Sequence, residues 1–211
     1  MSRDDGRETA LLHQAAARCL VYPDETRRAD LPMLDAALAP LRVPAATLLR
    51  DFVAHAAATP PQELAAHYVQ VFDFKNRRCL YLSWWADGDT RRRGMSLVRF
   101  KQVYRAHGLE FTDEELPDYL PAVLEFAAAT GHLELLHEHR PGLELLRLAL
   151  TEADTPYVKL LEAVCATLPG PSPRDRAAAM AMIRNGPPRE DVGLEPYGQF
   201  DLLPVLTGEP S

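Results

Sequence analysis

The stretch TPYVKLLEAVCATL, residues 155–168, indicates the fold class of this chain. Its apolar residues recur three and four positions apart, at Tyr157, Leu160, Leu161, Val164, Cys165 and Leu168. This period places them on one face of a helix, whereas a half-buried strand would alternate at every second residue. Thr155 and Pro156 form a typical helix start, with a capping hydroxyl followed by a proline in the first turn. The stretch therefore predicts an amphipathic helix.

The same helical period extends over most of the chain. Pro44 to Ala58 predicts one helix, Leu12 to Cys19 an earlier one, and the segment from Thr59 to Gln62 resembles a capping box at the start of another. No segment shows the alternating pattern of a strand bounded by hairpin turns. We therefore expect an all-α fold, with a single compact domain of about nine or more helices over residues 1–185.

Residues 186–211 differ in composition from the rest of the chain. They contain five prolines and four glycines, which cannot propagate a helix. The segment is not purely polar, because it also contains Val192, Leu194, Tyr197, Phe200, Leu202, Leu203, Val205 and Leu206. We expect an extended C-terminal tail that is partly disordered or docked on the helical body.

The charge distribution argues against nucleic acid as the partner. The formal net charge is −7, whereas proteins whose affinity depends on phosphate contacts usually carry a basic surface. A local basic block from Lys75 to Arg105 holds nine Lys or Arg against two Asp. A nucleic-acid-binding regulator that uses this block is the weakest of the alternatives.

Three widely spaced cysteines, Cys19, Cys79 and Cys165, form neither a disulfide framework nor a zinc pattern. The N-terminus lacks the apolar stretch of a signal peptide, and no run approaches the roughly 18 apolar residues of a spanning helix. We expect a soluble, cytoplasmic protein with no direct membrane insertion.

A search for catalytic and metal-binding patterns finds little. Glu134 and His137 have the spacing of half a di-iron motif, but no second copy occurs, so we expect no metal site. The glycines at 88 and 94 lack a phosphate-binding lysine and a preceding strand. Asp118 and Glu125 stand two helical turns apart and could form an acid–base pair. A simpler interpretation of Asp118 is the N-cap of a helix that contains Pro121.

Two stretches resemble a known family. The first runs Tyr68-Val-Gln-Val-Phe72-Asp-Phe74, then Leu80-Tyr-Leu-Ser83, then the turn from Gly88 to Gly94. The second runs Glu115-Leu-Pro-Asp118-Tyr119-Leu-Pro121, followed by Leu124-Glu-Phe126. Both are similar to the nitrate reductase molybdenum cofactor assembly chaperones of the NarJ type, within the TorD/DmsD group of redox-enzyme maturation proteins. In the wider group the second stretch is a Glu-Pro-x-Asp-His loop, from which this chain departs with Leu116 inserted and Tyr119 in place of histidine.

The resemblance implies an all-helical chaperone and not an enzyme. Such a chaperone binds the N-terminal segment of a molybdoenzyme catalytic subunit, here the nitrate reductase α subunit, and assists insertion of the molybdenum cofactor and assembly of the complex. It needs no cofactor of its own, since the molybdenum cofactor belongs to the client. A monomer is favoured.

A client segment with apolar anchors and basic residues requires an apolar groove with an acidic rim. The candidate client-binding residues in these stretches are Tyr68, Phe72, Phe74, Tyr81, Trp84, Trp85, Glu114, Glu115, Asp118, Tyr119 and Glu125. The motif turn contributes Asp89, Arg91, Arg93 and Gly94, where Arg91 or Arg93 pairs with Asp87 or Asp89 or orders the client interface. Tyr68 and Phe72 also fit a buried helix stripe, and the adjacent Trp84 and Trp85 should face different sides.

One alternative from a different class stays open. An all-helical enzyme or small-ligand protein would use Asp118, Glu125 and the arginine turn for an anionic, phosphate-containing ligand. That hypothesis predicts an enclosed polar cavity at these residues.

Overall fold

Helices account for all the regular structure in the residues that the computed structural model describes, namely 3–74, 78–111 and 115–185. Eleven helices occur in these ranges: α1 (Arg3–Leu20), α2 (Glu25–Leu38), α3 (Pro44–Ala58), α4 (Pro61–Phe72), α5 (Leu82–Asp87), α6 (Arg91–Ala106), α7 (Leu120–Thr130), α8 (Glu134–Glu138), α9 (Arg140–Glu152), α10 (Val158–Ala166) and α11 (Arg176–Asn185). The all-α prediction is confirmed. These eleven helices agree with the expected number of about nine or more, and α5 and α8, with only 6 and 5 residues, are too short to show a helical period in the sequence.

Small residues allow the central helices to pack closely. Helix α1 lies along α7, and its Ala15, Ala16 and Ala17 are fully buried. Helix α10 packs between α3 and α9, and α2 covers α3. On the other side, α5 packs on both α9 and α6, and α11 packs on α9. These contacts join the helices into one domain around a single hydrophobic core.

Aromatic side chains fill the centre of this core. Tyr157, at 1% exposure, is the largest fully buried residue. Its ring centroid lies 4.9 Å from that of Phe52, 5.0 Å from that of Phe72 and 5.9 Å from that of Tyr68. The ring of His67 stacks on it as well. Helices α3, α4 and α10 therefore meet at one aromatic cluster.

Two hydroxyl groups that the sequence predicts as helix caps bond elsewhere. Tyr157 rather than Thr155 precedes α10, and the Thr155 hydroxyl is 2.8 Å from Nε2 of His67. Helix α4 begins after Pro60, while the Thr59 hydroxyl donates to the carbonyl of His55 in α3. The partner of Thr155 lies 88 residues away and that of Thr59 only four, so neither hydroxyl serves as the predicted cap, although both helices formed as expected.

Within the described ranges, no helix is long and apolar enough to cross a membrane. The predicted C-terminal tail, residues 186–211, lies outside the described residues.

Two glycines test the packing of α9 against α5. A Cβ added to Gly142 would lie 2.9 Å from Cβ of Trp85, a distance that requires the helices to separate. We expect Gly142→Ala to lower the free energy of unfolding by roughly 1–3 kcal/mol, as overpacking does. Urea denaturation monitored by circular dichroism measures this change.

Gly94→Ala is the matched control, because Gly94 is also helical but has nothing within 4 Å of an added Cβ. It should raise the free energy of unfolding by about 0.5–1 kcal/mol through helix propensity alone. An equal gain from both substitutions would contradict the close approach of α9 to Trp85.

Candidate functional site

Two distant segments of the chain meet through paired backbone hydrogen bonds. The amide of Leu82 donates to the carbonyl of Asp118 at 2.9 Å, and the amide of Leu120 donates to the carbonyl of Leu80 at 2.8 Å. Tyr81 and Tyr119 form an isolated antiparallel bridge between these bonds. The start of α5 and the start of α7 are therefore held side by side. These segments belong to the two motif stretches of the sequence.

The side chain of Asp118 completes this junction. Its Oδ2 accepts a hydrogen bond from the backbone amide of Ser83 at 3.1 Å and another from the Ser83 hydroxyl at 2.5 Å. The amides of a first helical turn lack partners within the helix, so this carboxylate acts as a cap that α5 receives from another part of the chain. Asp118 was predicted to cap α7, and that prediction is wrong: Tyr119 holds the N-cap position and the carboxylate points to α5.

Arg93 supplies the positive charge beside this buried carboxylate. Its Nη2 lies 3.8 Å from Oδ2 of Asp118, and its Nε donates to the Ser83 hydroxyl at 3.3 Å. Asp118 is fully buried, and its Oδ1 has no hydrogen-bond partner among the described residues. The expected pairing of Arg93 with Asp87 or Asp89 is therefore replaced by a longer-range partner. Asp87 instead accepts a hydrogen bond from Ser96.

Around this junction, aromatic rings form a partly exposed surface. The rings of Tyr81 and Tyr119 lie 5.5 Å apart, and the Arg93 guanidinium lies 5.7 Å from the Tyr81 ring and 6.0 Å from the Trp84 ring. Tyr22, 50% exposed, is connected to this surface through the buried Tyr68, whose ring it contacts edge-on and whose hydroxyl is hydrogen-bonded to that of Tyr119. We call Tyr22, Tyr81, Trp84 and Tyr119 the aromatic surface.

Charges of both signs border the aromatic surface. Burial raises the pKa of Tyr119. The negative charges of Glu115 and Asp73 raise this pKa further, whereas the positive charge of Arg27 lowers it. Glu115 is exposed and its Oε1 accepts a hydrogen bond from the Tyr81 hydroxyl at 2.9 Å. Acidic groups thus stand within reach of any ligand that covers Tyr81 and Tyr119.

Some of the predicted contact residues belong to the core instead. Tyr68 and Phe72 are only 6% and 8% exposed, because their helix turns this stripe toward Tyr157, so they are not available as groove walls. Trp85 donates from its indole nitrogen to the Cys79 carbonyl and packs against Gly142 of α9. Trp84 contacts Arg93 instead, so the two tryptophans face different neighbours, as expected.

The remaining predicted residues are more scattered. Phe74 is 76% exposed two residues beyond the end of α4, and Glu125 is exposed on α7. Asp89, Arg91 and Gly94 are exposed, but the last two lie in the first turn of α6, so the expected arginine turn is a helix start. Glu114 lies outside the described residues. Sequence reasoning missed Tyr22, Asp73 and the structural role of Ser83.

The structure does not assemble the alternative acid–base pair. Asp118 has no exposed surface and precedes α7, whereas Glu125 lies on the exposed side of that helix. A cavity of about 490 Å³ lies elsewhere, between α2 and α3, and is lined by Leu31, Pro32, Asp35, Thr47, Arg50, Asp51, Val53, Ala54 and Ala57. The geometry therefore gives the small-ligand hypothesis no support at Asp118.

The glutamate of the half di-iron motif, Glu134, forms an ion pair. Arg99 of α6 bonds to Glu134 and, at 2.8 Å, to Glu138. His139 is buried and stacks on Phe100. No group of three or more potential metal ligands occurs in the described part of the chain.

A family model described as "Nitrate reductase delta subunit" matches residues 35–163, which is more than half of the chain and includes the whole junction. The chain belongs to this family. Every member of the aromatic surface except Tyr22 lies inside the matched range. The family resemblance noted in the two motif stretches is therefore confirmed.

Family relatives differ in length. Over 157 residues the chain is 39% identical to the nitrate reductase-like protein NarX of Mycobacterium tuberculosis, covering 73% of this chain but 24% of NarX, so it spans about a quarter of that relative. It is 34% identical to NarJ of Bacillus subtilis over 159 residues, covering 73% of this chain and 86% of NarJ. It is 30% identical over 152 residues to the nitrate reductase molybdenum cofactor assembly chaperone NarJ of Escherichia coli, covering 69% and 64%.

A solved structure shares the fold. The crystal structure of a candidate redox enzyme maturation protein from Archaeoglobus fulgidus superposes with a TM-score of 0.56 at 21% sequence identity. The match covers 76% of this chain and 91% of that chain.

The buried Asp118 makes a prediction about pH. Burial raises the pKa of this carboxyl above its ordinary value of 3.8, although the Ser83 hydrogen bond and the Arg93 charge act in the opposite direction. The folded state therefore holds the proton more tightly than the unfolded state, and the stabilisation from Asp118 declines as pH rises from 3.8 through the folded-state pKa. Asp118→Asn keeps an acceptor oxygen but does not titrate.

We therefore expect the free energy of unfolding of Asp118→Asn to rise relative to that of the parent protein across this pH window. Urea denaturation of both proteins at a series of pH values measures the difference. Ser83→Ala removes a group that lowers the pKa of Asp118, so the decline in stability should extend to higher pH in that variant. A pH-independent difference between Asp118→Asn and the parent would show that Asp118 titrates as in the unfolded chain.

Proposed function

We propose that this protein is a chaperone that binds the N-terminal segment of a nitrate reductase catalytic (α) subunit. In this proposal it holds the subunit for insertion of the molybdenum cofactor and assembly of the complex. Family membership supports the proposal, since a relative in Escherichia coli is named as a nitrate reductase molybdenum cofactor assembly chaperone. The structural observation that carries it is the aromatic surface at the junction of the two motif stretches.

The aromatic surface suits a peptide ligand. Tyrosine and tryptophan combine a large apolar face with a polar edge, which is why they dominate the energetics of many protein interfaces. Here the backbone bridge and the Asp118 cap fix Tyr81, Trp84 and Tyr119 before any ligand arrives, so little ordering of the chaperone is required. Glu115 and Asp73 would favour basic residues in the client beside its apolar anchors.

An estimate of the binding free energy agrees with a chaperone that releases its client. Burying about 400 Å² of apolar client surface contributes about 10 kcal/mol at roughly 25 cal/mol per Å². Ordering a flexible segment costs about 2–5 kcal/mol, and the loss of translational and rotational freedom costs several more. The expected affinity is micromolar to submicromolar.

The proposal assigns no chemistry to the chaperone itself. The molybdenum cofactor belongs to the client, and the protein acts by occupying one segment of it. A monomer is sufficient for this task, because the aromatic surface is formed by a single chain.

Calorimetry with a synthetic peptide from the N-terminus of the nitrate reductase α subunit tests the proposal. The parent protein should bind the peptide, and Trp84→Ala should weaken binding at least about tenfold, which corresponds to roughly 1.4 kcal/mol. Glu115→Gln should weaken binding less and reduce its dependence on salt, because this residue contributes charge rather than buried area.

Met33→Ala is the matched control. Met33 is 58% exposed on α2, so its loss removes an apolar surface group without touching the aromatic surface. Its affinity for the peptide should equal that of the parent. Absence of any binding by the parent protein at tens of micromolar would refute the proposed function. An equal loss of peptide affinity in Trp84→Ala and Met33→Ala would refute the proposed site.

A further inference from the structure

Helix α6 presents an exposed face that is both apolar and basic and that no described residue covers. Met95 and Val98 are 63% and 55% exposed. Arg91 and Arg92 precede Met95 by four and three positions, and Val98 follows Met95 by three, so these side chains share one side of the helix. The opposite side is buried and contains Phe100, Val103 and Tyr104. We call Arg91, Arg92, Met95 and Val98 the outer face of α6.

The positive charge of this face does not stabilise its own helix. All six charged residues of α6 are basic, and three of them are in its first turn, where the helix dipole disfavours cations. Arg93 faces Asp118 and Arg99 pairs with α8. Across residues 3–74, 78–111 and 115–185, neither Arg91 nor Arg92 forms an ion pair. An acidic segment would complement these two arginines.

The C-terminal segment of the same chain has the complementary composition. Residues 186–211 contain one arginine and five acidic residues, a net charge of −4. Its acidic residues are Glu190, Asp191, Glu195, Asp201 and Glu209. Apolar residues, which include Tyr197 and Phe200, lie between them. Acidic and apolar groups thus occur together in one segment, as they would in a ligand of the outer face of α6.

The start of this segment lies close enough to reach α6. It follows Asn185 at the end of α11, which packs on α9; α9 packs on α5, and α5 packs on α6. An extended chain advances roughly 3.3 Å per residue, so about ten residues span a domain of this size. The 26 residues after Asn185 can therefore place Tyr197 or Phe200 at Met95.

We propose that residues 186–211 dock in cis on the outer face of α6. The acidic residues near the start of the segment lie beside Arg91 and Arg92, and the aromatic pair Tyr197 and Phe200 covers Met95 and Val98. Because Arg93 on the neighbouring side of the same helical turn contacts Tyr81 and Trp84, the docked segment borders the aromatic surface. The contact is internal to the chain and does not depend on any client.

Methyl NMR of the full-length protein labelled with [methyl-¹³C]methionine tests this contact. In the variant Tyr197→Ala/Phe200→Ala, the methyl resonance of Met95 should move by more than its linewidth, because the ring currents that shift it are removed. Met33 is the matched control, since it is similarly exposed but lies on α2. Its resonance should stay in place.

A second pair of variants tests the role of charge. Arg91→Glu/Arg92→Glu should release the segment, so that Tyr197→Ala/Phe200→Ala no longer moves the Met95 resonance in this background. Acidic residues are favourable in the first turn of a helix, so α6 itself stays folded in the charge variant. Adding Glu190→Arg/Asp191→Arg should restore the response of Met95.

Three outcomes would overturn the proposal. The first is a Met95 resonance that does not respond to Tyr197→Ala/Phe200→Ala. The second is an equal response at Met33, which would indicate a nonspecific change. The third is a Met95 response that disappears on dilution, which would mean that the segment binds a second copy of the chain. Peptide binding by the aromatic surface is measured in a separate experiment, and its result does not depend on whether residues 186–211 dock on α6.

Discussion

The buried carboxylate of Asp118 joins two parts of the chain that are 35 residues apart. It accepts two hydrogen bonds from Ser83 at the start of α5 and faces the Arg93 guanidinium of α6. Removing a carboxylate from water is unfavourable unless hydrogen bonds and an opposite charge replace its hydration. Asp118 has these replacements on one oxygen only, since Oδ1 lacks a partner among the described residues. The junction is therefore both the tie between α5, α6 and α7 and a place where the fold carries an electrostatic cost.

This junction determines where the aromatic side chains can lie. The paired backbone bonds place Tyr81 beside Tyr119, and Arg93 extends the contact to Trp84. An isolated six-residue helix such as α5 would be marginal in water, so its position depends on the contacts at its ends and on α9. The proposed client surface thus rests on a preformed scaffold, which lowers the cost of ordering it when a peptide binds.

Much of the fold follows from local pattern, and most of the site does not. The bounds of α3, Pro44–Ala58, agree with the sequence prediction because a proline start and a continuous apolar stripe define them locally. The partners of Asp118 could not be predicted, because Ser83 lies far away in sequence and the local cap of α7 was equally reasonable. Tyr22 carries no sequence signal, since its place beside Tyr68 depends on how α1 and α4 pack. The motif stretches located the site, but burial decided that Tyr68 and Phe72 belong to the core.

Site-specific photo-crosslinking tests whether the aromatic surface contacts the N-terminal segment of the client. The photoreactive residue p-benzoylphenylalanine would be placed at position 84 or, as the control, at position 33, in cells that produce the nitrate reductase α subunit. We expect irradiation to link position 84 to the N-terminal segment of that subunit, and position 33 to give no such product. Crosslinks from position 33 alone, or to parts of the subunit other than its N-terminal segment, would contradict it.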